Sequence, residues 1–282
     1  MKSAYISYLT ALLLFGTNGI VASHILLSSG EIVLYRTFIG SLFLLLLFFI
    51  SKQKWTFYHY KKDFLFLVFS GASMGCSWMF LYEAYNLIGV SISSLLYYCG
   101  PVLVMVLSPV LFREKFIFKK ILGFLLVIIG IVFINGNQPS GNGNSFGLFC
   151  GFMSAILYAT MVICNKKAAN ISGLENSLLQ LFISFLTVAI IIPWRGNYTF
   201  PLPKESITPL LFLGIANTGL GCYLYFSKLD KLPVQSVSVL GYLEPLCAVI
   251  LSTVFLHEIM TPFQITGAIL VLGGALYSEL SR

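Results

Sequence analysis

Ten apolar runs, each close to the length that crosses a bilayer, occupy nearly the whole chain. They fall at residues 4–24, 31–51, 63–83, 90–112, 117–135, 145–165, 175–193, 207–227, 233–256 and 262–280. At a rise of 1.5 Å per residue, roughly 20 apolar residues span the hydrocarbon layer as a helix. A backbone in hydrocarbon has no water to bond, so each run must satisfy its N–H and C=O groups internally, and the helix does so. Ten such spans take up about 200 positions, and what is left of the 282 residues is too little for a soluble catalytic domain. The breaks are accordingly short: Ser28-Ser29-Gly30, the Lys-rich 52–62 segment, Arg113-Glu114-Lys115, Asn135 to Ser145, Lys166-Lys167, Trp194 to Lys204, and Lys228 to Lys231. With 58% hydrophobic and 10% charged residues, the chain lies far from the roughly 25% charge of a soluble domain. It carries no G-x-x-x-x-G-K-[ST] phosphate loop, so any transport draws on gradients and not on ATP.

The charges report orientation. A cytoplasmic N-terminus puts Lys2, Lys52, Lys54, Lys61, Lys62, Arg113, Lys115, Lys119, Lys120, Lys166, Lys167, Lys228, Lys231 and Arg282 inside, leaving Arg195 and Lys204 outside and Arg36 within the second span. This is the positive-inside pattern, and it places both termini in the cytoplasm. The net charge of +7 is therefore topological and implies no nucleic-acid partner. The first run has no A-x-A-like cleavage site before Ser28 and reads as a retained span. The six cysteines all lie in apolar runs without C-x-x-C spacing, as small packing residues, and no metal site or cofactor is expected. His24, His59 and His257 fall at span ends or in loops, Asp63 and Asp230 at cytoplasmic edges, and no H-E-x-x-H occurs. An enzyme would need such groups converging at membrane depth, so none is expected.

Shifting the chain on itself by 144 residues aligns Ser94, Tyr98 and Pro101 with Ser238, Tyr242 and Pro245, Glu114 with Glu258, Gly123 with Gly267, and Gly130 with Gly274. Positions 90–130 hold fourteen identities in 41. The units are residues 1–136 and 145–282, each with five spans. An odd number of crossings inverts the second copy relative to the first, the arrangement that supports alternating access around a central site. The expected fold is thus an all-α polytopic membrane protein of ten transmembrane helices in two inverted five-helix repeats, acting as one transport unit.

Several of these residues resemble the drug/metabolite transporter superfamily, specifically its EamA-type ten-helix carriers. The resemblance rests on Gly100-Pro101 and Leu243-Glu244-Pro245 in the fourth span of each repeat, followed by Glu114 or Glu258 at the helix end. The glycines of the fifth spans, Arg36, and Phe15-Gly16-Thr17-Asn18 add to it. Phe15 stands where the family usually has Trp, and His257 where a basic residue or Gly often precedes the last Glu. The resemblance implies a secondary carrier of small metabolites, often an exporter of amino acids or related compounds, with a site between the repeats lined by spans 1, 3, 4, 6, 8 and 9.

Pro101 and Pro245 lie near the middles of spans 4 and 9, where proline frees a carbonyl about four residues earlier. Each is either a packing kink or a helix break facing the substrate path. Ser94, Tyr98 and Pro101 share one helix face, and Ser238, Tyr242 and Pro245 repeat it, so the two tyrosines are expected to meet. Glu83 and Glu244 are the carboxylates within apolar runs and the proton-coupling candidates; Glu83 sits near the outer end of its span. A carboxyl at the depth of Glu244 is expensive. It either hydrogen-bonds a neighbouring helix break while protonated, carries a coupled proton, or anchors a substrate amine. Arg36 either pairs with Glu31 or binds an anionic group. Trp78, Tyr82, Tyr97, Tyr98, Tyr158 and Tyr242 are the candidate aromatic wall, each with a polar tip that needs a partner, and Asn18 either hydrogen-bonds substrate or bridges helices.

The expected function is secondary active transport of small metabolites, with export of amino acids or related amines. The alternative is uptake of a choline-like quaternary amine by cation–π contact beside Glu244. Expected partners are the small-molecule substrate, the lipid bilayer of the plasma membrane and a coupling proton, the chain being a monomer or homodimer.

Overall fold

The computed structural model describes residues 2–112, 122–123, 125–127, 129–130, 133, 142–192, 202–226, 241 and 243–280, and every regular element among them is helical. The first run forms α1 (Lys2–Gly16) and α2 (Asn18–Ser23), interrupted at Thr17. The next two are continuous, α3 (Ser29–Ile50) and α4 (Lys61–Ile88). The fourth is divided at Tyr98 into α5 (Val90–Tyr97) and α6 (Cys99–Phe112). Then come α7 (Asn142–Lys167) and α8 (Gly173–Ile191). The eighth run passes from α9 (Lys204–Phe212) through a π-helical segment (Leu213–Leu220) into α10 (Gly221–Phe226). The last two helices are α11 (Leu243–Phe255) and α12 (Pro262–Leu280).

Among the described residues, six helical stretches are long and apolar enough to cross a membrane: Ala4–Ser23, Ser29–Ile50, Lys61–Ile88, Ser145–Lys167, Gly173–Ile191 and Lys204–Tyr225. Val90–Val104, Leu243–Phe255 and Pro262–Gly274 are shorter apolar helices. Most of the run expected at 117–135 lies outside the described residues.

Large apolar side chains cover the outside, and polar ones are buried alongside the apolar core. Phe49, Ile50, Ile190 and Phe255 are exposed, whereas Arg36, Thr37, Ser70, Ser77, Ser154, Ser184 and Thr218 are buried. Lipid tails are as apolar as leucine, so helices associate in the bilayer through close packing and interhelical hydrogen bonds. Helix α4 uses both. Ser70 donates to the Met161 carbonyl at 2.8 Å and Ser77 to the Ser154 carbonyl at 2.7 Å, fastening α4 to α7. On another face Gly71 and Gly75, four apart, meet α8 so closely that an added Cβ would lie 2.7 Å from the Gln180 carbonyl oxygen and 2.9 Å from that of Ser184.

Two glutamates cap backbone outside their own helices. Glu175 on α8 accepts from the N–H groups of Thr56 and Phe57 at 2.7 and 2.9 Å and from the Thr56 hydroxyl at 2.6 Å. Glu258, just beyond α11, accepts from the N–H groups of Val90 and Ser91 at 2.6 and 2.9 Å and from the Ser91 hydroxyl at 2.6 Å. The carboxylate thus satisfies orphan donors at the start of α5 and complements its dipole.

Gly75→Val forces side-chain atoms into a backbone carbonyl that cannot yield, and should destabilise the detergent-purified protein by about 1–3 kcal/mol. Phe49→Leu on the lipid-facing side should stay within about 0.5 kcal/mol. Thermal unfolding of the two variants side by side checks the α4–α8 contact.

Candidate functional site

The centre of the bundle holds a cation. Arg36, on α3, is 1% exposed. Its Nε donates to the Thr218 hydroxyl at 2.9 Å and its Nη1 to the Tyr82 hydroxyl, while the guanidinium carbon lies 4.3 Å from the Trp78 ring centroid and 5.1 Å from that of Tyr82. The expected Arg36–Glu31 pair is not the arrangement found. Glu31 turns back to accept from the Ser28 backbone at 2.9 Å and hydroxyl at 2.7 Å, completing a capping box. Five residues advance about 140° around a helix beyond a full turn, so the two side chains leave α3 in different directions.

The π-helical segment does the positioning. A π turn widens the helix by one residue and is frequent at functional sites. Here Thr218 donates to the Leu213 carbonyl at 2.7 Å while accepting from Arg36. The preceding residue, Asn217, reaches the interruption in the first run, its amide nitrogen 2.9 Å from the Leu14 carbonyl, 2.9 Å from the Thr17 hydroxyl and 3.0 Å from Asn18 Oδ1. Of the two readings of Asn18, this contact favours the bridge between helices.

Around Arg36 stands the aromatic wall. Trp78 packs against the buried cluster that contains Tyr97. The rings of Tyr97 and Tyr158 meet edge to face at 5.0 Å and 73°, and Tyr97 and Tyr98 lie 5.5 Å apart. The Glu244 carboxyl lies within electrostatic reach of Tyr98 and Arg36. Tyr8 and Tyr225 extend the wall, their rings 5.2 Å apart. Tyr85 packs on Tyr82, the ring centroids 5.2 Å apart. Two glycines make room: a Cβ on Gly100 would lie 2.5 Å from the Tyr158 ring, and one on Gly16 would lie 2.7 Å from Cys247 Cβ and 3.2 Å from the Glu244 carbonyl oxygen.

Trp78, Tyr82, Tyr97, Tyr98, Tyr158 and Glu244 are thus brought into one cluster. Asn18 stands at its edge. Glu83 is half-buried near the end of α4 and has no hydrogen bond or ion pair to this cluster. Tyr242 lies outside the described residues. Pro101 follows the interruption at Tyr98 by three residues, where its ring disturbs the preceding turn. Pro245 is buried in the first turn of α11, and Tyr242 before it is not described. Sequence reasoning missed Tyr85, although Trp78, Tyr82 and Tyr85 share one helix face. It also missed Tyr8 and Thr218, for which an apolar run offers no periodic signal.

A buried cation, a half-buried carboxyl and phenolic hydroxyls thus lie together inside an apolar shell. Among the described residues no group of three or more His, Cys, Asp or Glu is placed to hold a metal ion.

The EamA-like transporter family matches residues 2–136 and again 145–279. An uncharacterized transporter of Bacillus subtilis (strain 168), YxxF, is 27% identical over 285 residues, covering 100% of this chain and 91% of its own. A "Probable amino-acid metabolite efflux pump" of Salmonella typhimurium is 27% identical over 184 residues, 60% of each chain. A solved crystal structure superposes with a TM-score of 0.69 over 100% of this chain and 99% of its own, at 18% identity, and so shares the fold.

Thr218→Val keeps the side-chain volume but removes the acceptor of Arg36 Nε and the donor to Leu213. Leaving a buried charged donor unmet should cost about 1–3 kcal/mol of stability. An unchanged unfolding temperature for this variant is incompatible with Thr218 holding the guanidinium.

Proposed function

The chain belongs to the EamA-like transporter family, and from that premise we propose that it is a secondary active carrier exporting amino acids or related amines across the plasma membrane by alternating access. It crosses the bilayer ten times, as two inverted five-helix repeats over residues 1–136 and 145–282, with both termini in the cytoplasm. Support for the repeats comes from the identities at an offset of 144 residues and from the two successive family matches. Support for the orientation comes from the fourteen Lys and Arg residues assigned to one side.

One observation carries the reading: Arg36, Trp78, Glu244 and the tyrosines around them are gathered in the interior of a bundle whose outer surface is apolar. Polar and charged groups in a membrane interior are costly and face internal cavities or one another. A bundle that needed only to pack would place apolar residues there. Interrupted helices adjoin the cluster at Thr17, at Tyr98 and in the π segment, and interrupted backbone at membrane depth persists where it lines a protected cavity. Rocking of the repeats about this cluster exposes it to one side at a time.

Glu244 supplies the coupling. Its carboxylate accommodates either a proton or a substrate ammonium group, so occupancy by one excludes the other and outward movement of substrate is exchanged for inward movement of a proton. The Salmonella relative is named a "Probable amino-acid metabolite efflux pump", which agrees with this direction. The alternative, uptake of a choline-like amine, meets a resident cation, because the Arg36 guanidinium already lies 4.3 Å from the Trp78 ring centroid.

In proteoliposomes, imposing a pH gradient should drive counterflow of radiolabelled amino acids through the wild-type protein. Glu244→Gln should make the residual flux independent of pH. A variant that keeps the wild-type pH profile removes Glu244 from the coupling role, and wild-type vesicles that pass no metabolite overturn the carrier reading.

A further inference from the structure

The loop between α3 and α4 is folded down on the bundle and turns its charges outward. The Trp55 and Phe48 ring centroids lie 4.2 Å apart and those of Phe57 and Phe64 5.0 Å apart, so the loop is seated by aromatic packing on the ends of both helices. Glu175 of α8 holds the same stretch by the N–H groups of Thr56 and Phe57. With its middle anchored, the loop leaves Lys52 and Lys54 exposed, and Lys61 and Lys62 are exposed where α4 begins. Lys167, exposed at the end of α7, lies at the same end of the bundle, its Nζ 5.5 Å from the centroid of the Phe66 ring on α4.

The carboxylates of this region are committed to other donors. Both oxygens of Glu175 accept from the loop, and Asp63 Oδ2 accepts from the backbone and side-chain amides of Asn170, each at 2.9 Å. Orientation in the membrane requires only that lysines lie on one side of it. It does not require them to be gathered on a fixed loop whose neighbouring acids are spent on amides. Lys52 adds a second sign. It closes α3 in the left-handed conformation, φ 50°, with its N–H on the Phe49 carbonyl and the Gln53 N–H on the Phe48 carbonyl. Glycine takes that position without steric cost. A lysine there accepts backbone strain, which collects at functional positions.

Next to the lysines the surface turns apolar. Leu46, Phe49 and Ile50 are exposed on the last turns of α3. On α4 the exposed Leu65 and Phe69 continue, four residues at a time, the face that Lys61 begins. A cationic rim joined to a hydrocarbon-facing strip is the complement of a phospholipid, with phosphate on the ammonium groups and acyl chains along the apolar side chains. A soluble phosphate would use the rim alone.

We propose that this surface binds an anionic phospholipid headgroup, held by Lys52, Lys54, Lys61 and Lys62 with Lys167 at its edge. On the orientation proposed above the lipid belongs to the cytoplasmic leaflet, and the contact is independent of the solute carried. Bound there, the lipid bridges the ends of α3 and α4 in the first repeat and of α7 in the second.

The test titrates the detergent-purified full-length protein with phosphatidylglycerol in mixed micelles, with phosphatidylcholine of the same chains, and with glycerol phosphate, reading thermal stabilisation. Phosphatidylglycerol should stabilise the wild-type protein and bind less tightly as salt is raised; the other two should bind at least about tenfold more weakly. Replacing Lys52, Lys54, Lys61 and Lys62 by Gln, in pairs and together, should weaken phosphatidylglycerol about fivefold per lysine. The side chains are exposed, so unfolding without lipid should match the wild type. Lys204→Gln, at the start of α9, should change nothing. Phosphatidylcholine that binds as tightly, a four-lysine variant that keeps wild-type affinity, or an equal loss in Lys204→Gln overturns the proposal. Glycerol phosphate that binds as tightly as the lipid overturns it too, because the apolar strip then contributes nothing. Metabolite flux in proteoliposomes judges the carrier reading separately.

Discussion

A guanidinium enclosed in a bundle that faces hydrocarbon must be satisfied from within, because water is absent and removing a full charge from solvent costs several kcal/mol even after relaxation. Arg36 is in that position, and much of the interior is arranged around it. Its partners are drawn from far along the chain, Tyr82 at a separation of 46 residues and Thr218 at 182. To place Thr218, the eighth run winds as a π segment. To hold that segment, Asn217 bonds to the interruption beside Thr17. The first, second, third and eighth runs are thereby tied to one another by polar contacts that lipid cannot replace.

The same scarcity of partners governs the backbone. Where the first run is interrupted, the Leu14 carbonyl accepts from the Thr17 N–H at 3.1 Å, the Thr17 hydroxyl at 2.7 Å and the Asn217 amide at 2.9 Å. Where α5 begins, Glu258 collects its first donors from across the bundle. Glu258 and Glu244 are close in sequence and differ in use. The first spends its carboxylate on backbone N–H groups, and the second lies within electrostatic reach of Tyr98 and Arg36.

Some of this was legible in the residues. The spans follow from summed apolarity. The gathering of Trp78, Tyr82, Tyr98, Tyr158 and Glu244 follows from asking which polar groups lie too deep to reach water. The pairing of Arg36 with Glu31 did not survive, because proximity in sequence is a poor guide on a helix when the two side chains point apart. Asn18 was open to two readings, and only the position of Asn217 separates them. Glu83, chemically equivalent to Glu244 on paper, stands away from the cluster because it leaves α4 from a different face than its neighbours Tyr82 and Tyr85.

The sequence by itself determined the helical, membrane-embedded architecture, since transfer free energy and helix closure are properties of single runs that add along the chain. It also marked the groups whose burial demands explanation. The tertiary structure alone decided which of them meet. Hydrogen bonds such as Arg36 to Thr218 and Glu258 to Val90 join residues whose separation carries no periodicity, and they exist only once packing has fixed the rotation of each helix about its own axis.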